Sequence, residues 1–207
     1  MGRLMAHFYD RFMRTSEEAC LIEWRRKLLE GVEGQVLEVG AGTGANVSLY
    51  PPTVTRVVMS EPDAPMRAKL AERLQNGSSA PVEVSDGSLD SLPFSNGAFD
   101  CVACMFVLCS VPDLQHAIGE IRRVLVPGGR LVFMEHVAAE GRPERLKWQR
   151  RLEPLWKRIS GNCHLTRNTE QAILDSGFAM EQIERESIRK ASPLVRTSIR
   201  GVAVKRS

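Results

Sequence analysis

Glycines recur at alternate positions in Val36–Gly44, VLEVGAGTG, and an acid, Glu38, stands two residues ahead of the first. Gly40, Gly42 and Gly44 carry no Cβ, so the backbone there can adopt positive φ and press against a ligand. Further chemistry-bearing residues follow apolar runs: Glu61 after VTRVVMS, Asp86-Gly87 after PVEVS, and His136 after RLVFME. A Walker loop is excluded, because no Gly-Lys-Ser/Thr follows the glycines. A dinucleotide site fits Gly40, Gly42 and Ala45 read as G-x-G-x-x-A, with Glu61 suited to a ribose clamp in either case.

Three features favour a sulfonium nucleoside. Glu38 can reach the ammonium of an amino-acid ligand but would repel a pyrophosphate. Asp86 follows a strand where a carboxylate can accept a hydrogen bond from an adenine amino group. Reductase chemistry is also absent: the chain is short for a separate catalytic domain, and neither Tyr9 nor Tyr50 is followed by Lys four positions on.

The elements that must position these residues alternate. Strands are expected at QVLEV, VTRVVMS, PVEVS, FDCVACMFV and RLVFMEH, then at AMEQIERESI and RTSIRGVAVKR, the last two paired antiparallel with polar distal parts suited to an edge. Helices are expected between them: one from Ser16, as N-cap, to Gly31, a brief one ending at Pro51-Pro52, and one after Pro62. DLQHAIGEIRRVL should follow, capped by Asp113, with His116 and Glu120 on its surface and Pro127-Gly128-Gly129 as its stop. Further helices are expected over Pro143–Ile159, broken near Pro154, and over TRNTEQAILDSGF. This pattern predicts an α/β fold: a doubly wound, Rossmann-like, mainly parallel sheet of seven strands with an antiparallel C-terminal strand. Ligands in such sheets lie beyond the carboxyl ends of the strands.

Size and charge narrow the function classes. The 207 residues suit one domain, and the net charge of +3 gives no reason to invoke nucleic acid. Only Arg142–Arg158 is clearly basic; it reads as a solvated face, with peripheral contact to phosphates or an anionic membrane as the alternative. No run approaches the ~18 apolar residues of a membrane span, and MGRLMAHFYD lacks a signal-peptide core, so a cytoplasmic protein is expected. Five cysteines without framework spacing fit a reducing compartment. Cys101 and Cys104 lie on a strand and should face opposite ways, so CVAC is read as core and no metal is expected.

VLEVGAGTG, MSEPD, SDGS, FDCVACMFVLCSVPD and RVLVPGGRLVFMEH, in this order over Val36–His136, resemble the class I S-adenosylmethionine-dependent methyltransferases. The resemblance implies S-adenosylmethionine as cofactor. Glu38 would sit near its amino group, the Gly40–Gly44 backbone with Ala41 would cradle its methionine part, and Glu61 beside Pro62 would bind its ribose. Asp86 and Gly87 would flank adenine, with Met66 and Met105 or Phe106 packed nearby. GTGANVSLYPP, VLCSVPD, EHVA, LEPLWKRISGNCHLTRNT and IRGVAVKRS further resemble the alkyl-thiol branch (the methyltransferase-like 7 proteins) and its bacterial type-11 relatives, implying methyl transfer to a small thiol or another soft nucleophile. Those membrane-associated relatives carry an apolar N-terminal anchor where this chain opens with MGRLMAHFYDRFMR, so membrane residence is not carried over. An O- or N-methyltransferase acting on a phospholipid head group or natural-product intermediate is the alternative, and a non-catalytic cofactor-binding module a third.

Within that frame, residues 1–31 are expected to form a helical cover and 32–207 the methyltransferase domain, with 142–165 as a helical insertion on the acceptor side. A thiol acceptor with pKa ~8.5 needs only modest base help. His136 is the foremost candidate for base or acceptor orientation, followed by His164; Cys163 beside it reads as packing. Tyr9, with His7, belongs to a segment that in this family commonly folds over the cofactor. Trp148, Trp156 and Met13 could form an apolar acceptor pocket or anchor the cover helices.

Overall fold

Side chains alternate along the strands, and each face of the sheet has its own core. The computed structural model describes residues 3–206, and side chains from 9 onward. The strands are β1 (Gly34–Val39), β2 (Val54–Ser60), β3 (Val82–Ser85), β4 (Phe99–Met105), β5 (Leu125–His136), β6 (Phe178–Ser187) and β7 (Thr197–Lys205). They form a seven-stranded sheet in the order β3-β2-β1-β4-β5-β7-β6. β1 to β5 pair in parallel, and β7 runs antiparallel to both β5 and β6. The expected architecture is thus present, with one difference at its margin. β7 is not an edge: Ser198–Gly201 are buried between two neighbours, and polar β6 takes the edge.

On one face Leu37, Val102, Cys104, Leu131 and Phe133 pack against α4 (Leu114–Val124) and α6 (Thr169–Asp175). On the other, Val36, Cys101, Ala103, Val132 and Met134 pack against α2 (Ile22–Leu29) and α3 (Ala64–Leu74). Each fully buried Leu, Ile or Phe contributes about 1.5–3 kcal/mol, so two filled faces hold the sheet rigid. Cys101 and Cys104 fall in opposite cores, as strand alternation requires.

Several helix boundaries depart from expectation. Ser16 is not a cap. It ends α1 (Arg3–Ser16) in helical geometry (φ −80°, ψ −37°), makes no capping bond, and leads through a π-helical turn at Glu17–Leu21 into α2. The glycine loop opens no helix either; bonds from Gly44 to Ala41, Val47 to Gly44 and Leu49 to Asn46 make successive tight turns. Asp113 does cap α4, accepting from the His116 amide at 3.0 Å. α4 ends at Val124, and Pro127-Gly128-Gly129 lie within β5 instead of stopping the helix. α5 (Pro143–Ile159) continues through Pro154, and Gln149, its buried residue, fastens it to Val137 O and Leu194 O.

Candidate active site

The strand order reverses between β1 and β4, and the glycine turn emerges there. Gly40 has φ +61°, and a Cβ would lie 2.4 Å from Val107 Cγ2, so only glycine lets this turn pass the segment after β4. At Gly42 (φ +58°) a Cβ would meet nothing nearer than Gly40 O at 4.0 Å, and its N–H donates to Glu61 Oε2 at 2.8 Å. Gly44 serves another purpose. Its Cβ would meet Leu70 and Val47 at 2.7 and 2.9 Å, so it seats the turn on α3 rather than lining the cleft.

Glu61 directly follows β2 at 7% exposure, and its Oε1 accepts from the Asp63 amide at 2.8 Å. Burial raises its pKa, against the lowering effect of the two amides. Pro62, Met66, Gly87, Met105 and Phe106 complete much of the wall of a cleft of about 300 Å³. Asp86 does not join them. Gly87 packs where a Cβ would strike Pro93 and Ser60, while Asp86 beside it is exposed; Asp90 lines the cleft.

A second cavity, of about 260 Å³, continues from the first past Gly40, Gly42 and Met105. Glu38 and Ala41 lie on it. Glu38 is buried, and its oxygens accept from Asn46 Nδ2 at 3.0 Å and the Tyr50 hydroxyl at 2.5 Å. Burial pushes its pKa up, opposed by those bonds and by Arg25. Arg25 was not anticipated from sequence. It is only 6% exposed, donating to Asn46 Oδ1 at 3.2 Å and Glu17 Oε1 at 2.9 Å. Its signal was a charge on the apolar face of its helix, four residues after Leu21 and three before Leu28.

α1 crosses this cavity. Asp10 accepts from Thr43 Oγ1 at 2.6 Å and from Arg73 at 3.0 Å, tying the helix to the glycine turn and α3. Tyr9 lines both cavities and a third; burial pushes its phenol up to about 12, so it remains a neutral donor. The side chain of His7 lies outside the described residues.

The third cavity, of about 510 Å³, meets the first at Tyr9, Phe106 and Ser110. Phe106 holds φ +61°, a left-handed conformation unusual for a bulky residue. The segment beyond it is pinned by Glu135, which is fully buried and accepts from the amides of Val107 and Leu108 at 2.8 Å and of Cys109 at 3.2 Å. Burial lifts the Glu135 carboxyl to about 7. Arg167 holds the same segment through the carbonyls of Leu108 and Val111.

His136, buried at the end of β5, faces this cavity with Nε2 2.9 Å from Cys163 Sγ. Trp156 Nε1–H donates to the same sulfur at 3.2 Å. A hydrogen bond from Cys109, with help from His136 and Trp156, pulls the Cys163 thiol down against the effect of burial. His164, its neighbour, turns outward; Nδ1 lies 3.6 Å from Glu153 and the ring lines none of the three cavities. Trp148 is 53% exposed beneath Arg151, so only Trp156 and Met13 of the expected apolar set reach the cavity.

A family model described as a methyltransferase domain matches residues 37–133. Over 165 residues the chain is 38% identical to thiol S-methyltransferase TMT1B of Homo sapiens, covering 77% of this chain and 67% of that one. It is 32% identical over 174 residues to demethylmenaquinone methyltransferase of Thermus thermophilus, covering 80% and 79%. A solved SAM-dependent methyltransferase of Thermotoga maritima shares the fold at TM-score 0.69 and 18% identity, over 100% of both chains. The chain belongs to the S-adenosylmethionine-dependent methyltransferases, an enzyme family whose cofactor fits the Cβ-free turn, the amide-anchored acid and the acid–arginine cavity described above. No helix among the described residues is long and apolar enough to cross a membrane.

Proposed function

We propose that this methyltransferase acts on the sulfur of a small apolar thiol admitted to the 510 Å³ cavity. The character of that cavity carries the reading: none of the residues lining it is Asp, Glu, Lys or Arg. An ammonium acceptor would find no carboxylate there, and a hydroxyl, with its high pKa, would find no base stronger than His136. A thiol ionises near pH ~8.5 and so asks least of the chain. The human relative's name points to the same acceptor atom.

S-adenosylmethionine supplies a methyl group already activated on a sulfonium. In this reading Arg25 and Glu38 take the carboxylate and ammonium of its amino-acid tail, against the backbone of Gly40, Ala41 and Gly42. Glu61 receives the ribose hydroxyls, held in place by its bonds to Gly42 and Asp63. Met66, Met105, Pro62, Gly87 and Asp90 border the nucleoside. Tyr9 and Phe106 stand where cleft and cavity meet, aligning the two partners and excluding water. His136 orients the acceptor sulfur. Five free cysteines suit a reducing compartment, in keeping with a cytoplasmic enzyme. The exposed Phe12, Leu155 and Ile159 beside the basic α5 offer peripheral contact with a lipid surface from which an apolar acceptor could enter.

Acceptors sharing one apolar group but ending in thiol, hydroxyl or amine, with a demethylated quinone alongside, test this with labelled methyl donor. The thiol should be converted at least about tenfold faster than the others, the scale of ~1.4 kcal/mol in barrier. Preferential labelling of the amine or the quinone would replace this reading. His136→Ala should lower turnover by about 10²-fold or more while leaving donor affinity near the parent value. Unaltered turnover would remove His136 from the reaction.

A further inference from the structure

Three segments distant in sequence bring soft donor atoms together: Cys109 from the turn after β4, His136 from the end of β5, and Cys163 from the loop after α5. Their ligand atoms all lie within 4.8 Å of one another, all three residues are buried, and all three line the apolar cavity. We propose that Cys109, His136 and Cys163 form a site for one soft divalent cation, zinc foremost, whose open fourth position faces the cavity and takes the acceptor thiol as its thiolate.

The donor set is the argument. Two sulfurs and one imidazole are a zinc ligand set of the kind that leaves one position for substrate. Tetrahedral zinc with ordinary bond lengths spaces such donors about 3.5–3.8 Å apart; the three atoms lie within 4.8 Å of one another, and the 2.9 Å between His136 Nε2 and Cys163 Sγ has to open by roughly 0.6 Å to admit the ion. Carboxylates, which would favour harder cations, are absent from the cluster. Both sulfurs already have outer partners: Trp156 Nε1–H beside Cys163, and Ser110 Oγ at 3.4 Å from Cys109. The frame is fixed as well. The Cys109 amide is bound by Glu135, its carbonyl accepts from the His164 amide at 2.8 Å, and His136 is paired to Ser198 in the sheet. His136 Nδ1 is buried without a hydrogen-bond partner, so no carbonyl or carboxylate dictates which ring nitrogen is presented.

This inference rests on the thiol reading above and gives it a means of activation. Cys109 and Cys163 lose their S–H protons to solvent as the cation binds, and on coordination the acceptor loses its own. Its sulfur then bonds to the methyl carbon as the donor's carbon–sulfur bond breaks, leaving a thioether and S-adenosylhomocysteine. No oxidant or reductant is needed.

Metal content decides it. The full chain, reduced and stripped with chelator, is exposed to Zn(II) or Co(II) alone and desalted, with folding checked by circular dichroism. About one equivalent should be retained, with intense thiolate-to-cobalt absorption in the Co(II) form. Cys109→Ser and Cys163→Ser should each weaken retention at least tenfold, whereas Cys20→Ser, outside the cluster, should not. An apolar thiol should shift the Co(II) spectrum, and its alcohol counterpart should not. Failure to retain metal, or equal retention by the Cys109→Ser/Cys163→Ser double variant, overturns the site. Undiminished thiol methylation by metal-free protein overturns the activating role while leaving the thiol reading intact. Metal retention and a thiol-dependent spectrum without methylation uphold the site and count against the thiol reading instead.

Discussion

Glu61 is bound on both carboxylate oxygens by the chain itself and is also proposed to take the donor's ribose. Its two oxygens hold the amides of Gly42 and Asp63, which fixes the carboxylate in the cleft despite the cost of burying it. Glu61→Ala should weaken donor affinity by about 1–3 kcal/mol, the scale of a charge-assisted hydrogen-bond pair, as read by titration calorimetry. An unchanged dissociation constant would remove it from the donor site. Its position at a strand end was legible from sequence, as were those of Glu38 and His136, because strand ends gather at one rim of a parallel sheet. Arg25, Asp90 and Cys163 were harder to find. Arg25 is a cation within an apolar helical stripe, Asp90 lines the cleft where Asp86 was expected, and Cys163 acquires its partners only through tertiary contacts.

At the scale of elements, α1 is tied to the cleft side of the sheet through Asp10. Asp10 links it to Thr43 and Arg73, and its side chains from Tyr9 to Thr15 are exposed or half-buried. Asp10→Ala should therefore raise the donor dissociation constant by roughly two- to tenfold, the scale of one or two exposed bonds, with the faster release visible in stopped-flow traces. Global stability in urea should stay within about 0.5 kcal/mol of the parent. Unchanged release would mean that α1 does not retain the donor. The misread helix start at Ser16 has the same origin: a local capping signal was overridden by tertiary contacts that bury Ser16 and continue the helix on both sides through a π turn. Strands were easier, since buried parallel strands announce themselves as short apolar runs, and β7 was misjudged as an edge only because its arginine, Arg200, is buried over Trp24 and paired with Glu184 and Glu186.

For the whole molecule, stability toward acid has an identifiable contributor. Arg123 holds Glu120 at 2.7 Å and clamps the carbonyls of Leu92 and Phe94, fastening the wall behind the cleft to α4. That hydrogen bond pulls the Glu120 carboxyl down to about 2 from an ordinary 4.5. A depressed folded-state pKa stabilises above the unfolded value and is lost as pH falls through the folded one. Glu120→Gln should thus cost about 1–3 kcal/mol in urea unfolding at pH 7, and the gap from the parent should narrow between about pH 4.5 and 2. A gap that stays constant over this range would place the stabilisation elsewhere.

The central claim is a geometric one: donor across the glycine turn, acceptor in the apolar cavity, Tyr9 and Phe106 between them. A crystal structure with S-adenosylhomocysteine tests it most directly. The account expects the amino-acid tail beside Arg25 and Glu38, the ribose on Glu61, and the sulfur turned toward Tyr9 and Phe106. A sulfur pointing away from the apolar cavity, or a nucleoside bound elsewhere on the sheet, would contradict it.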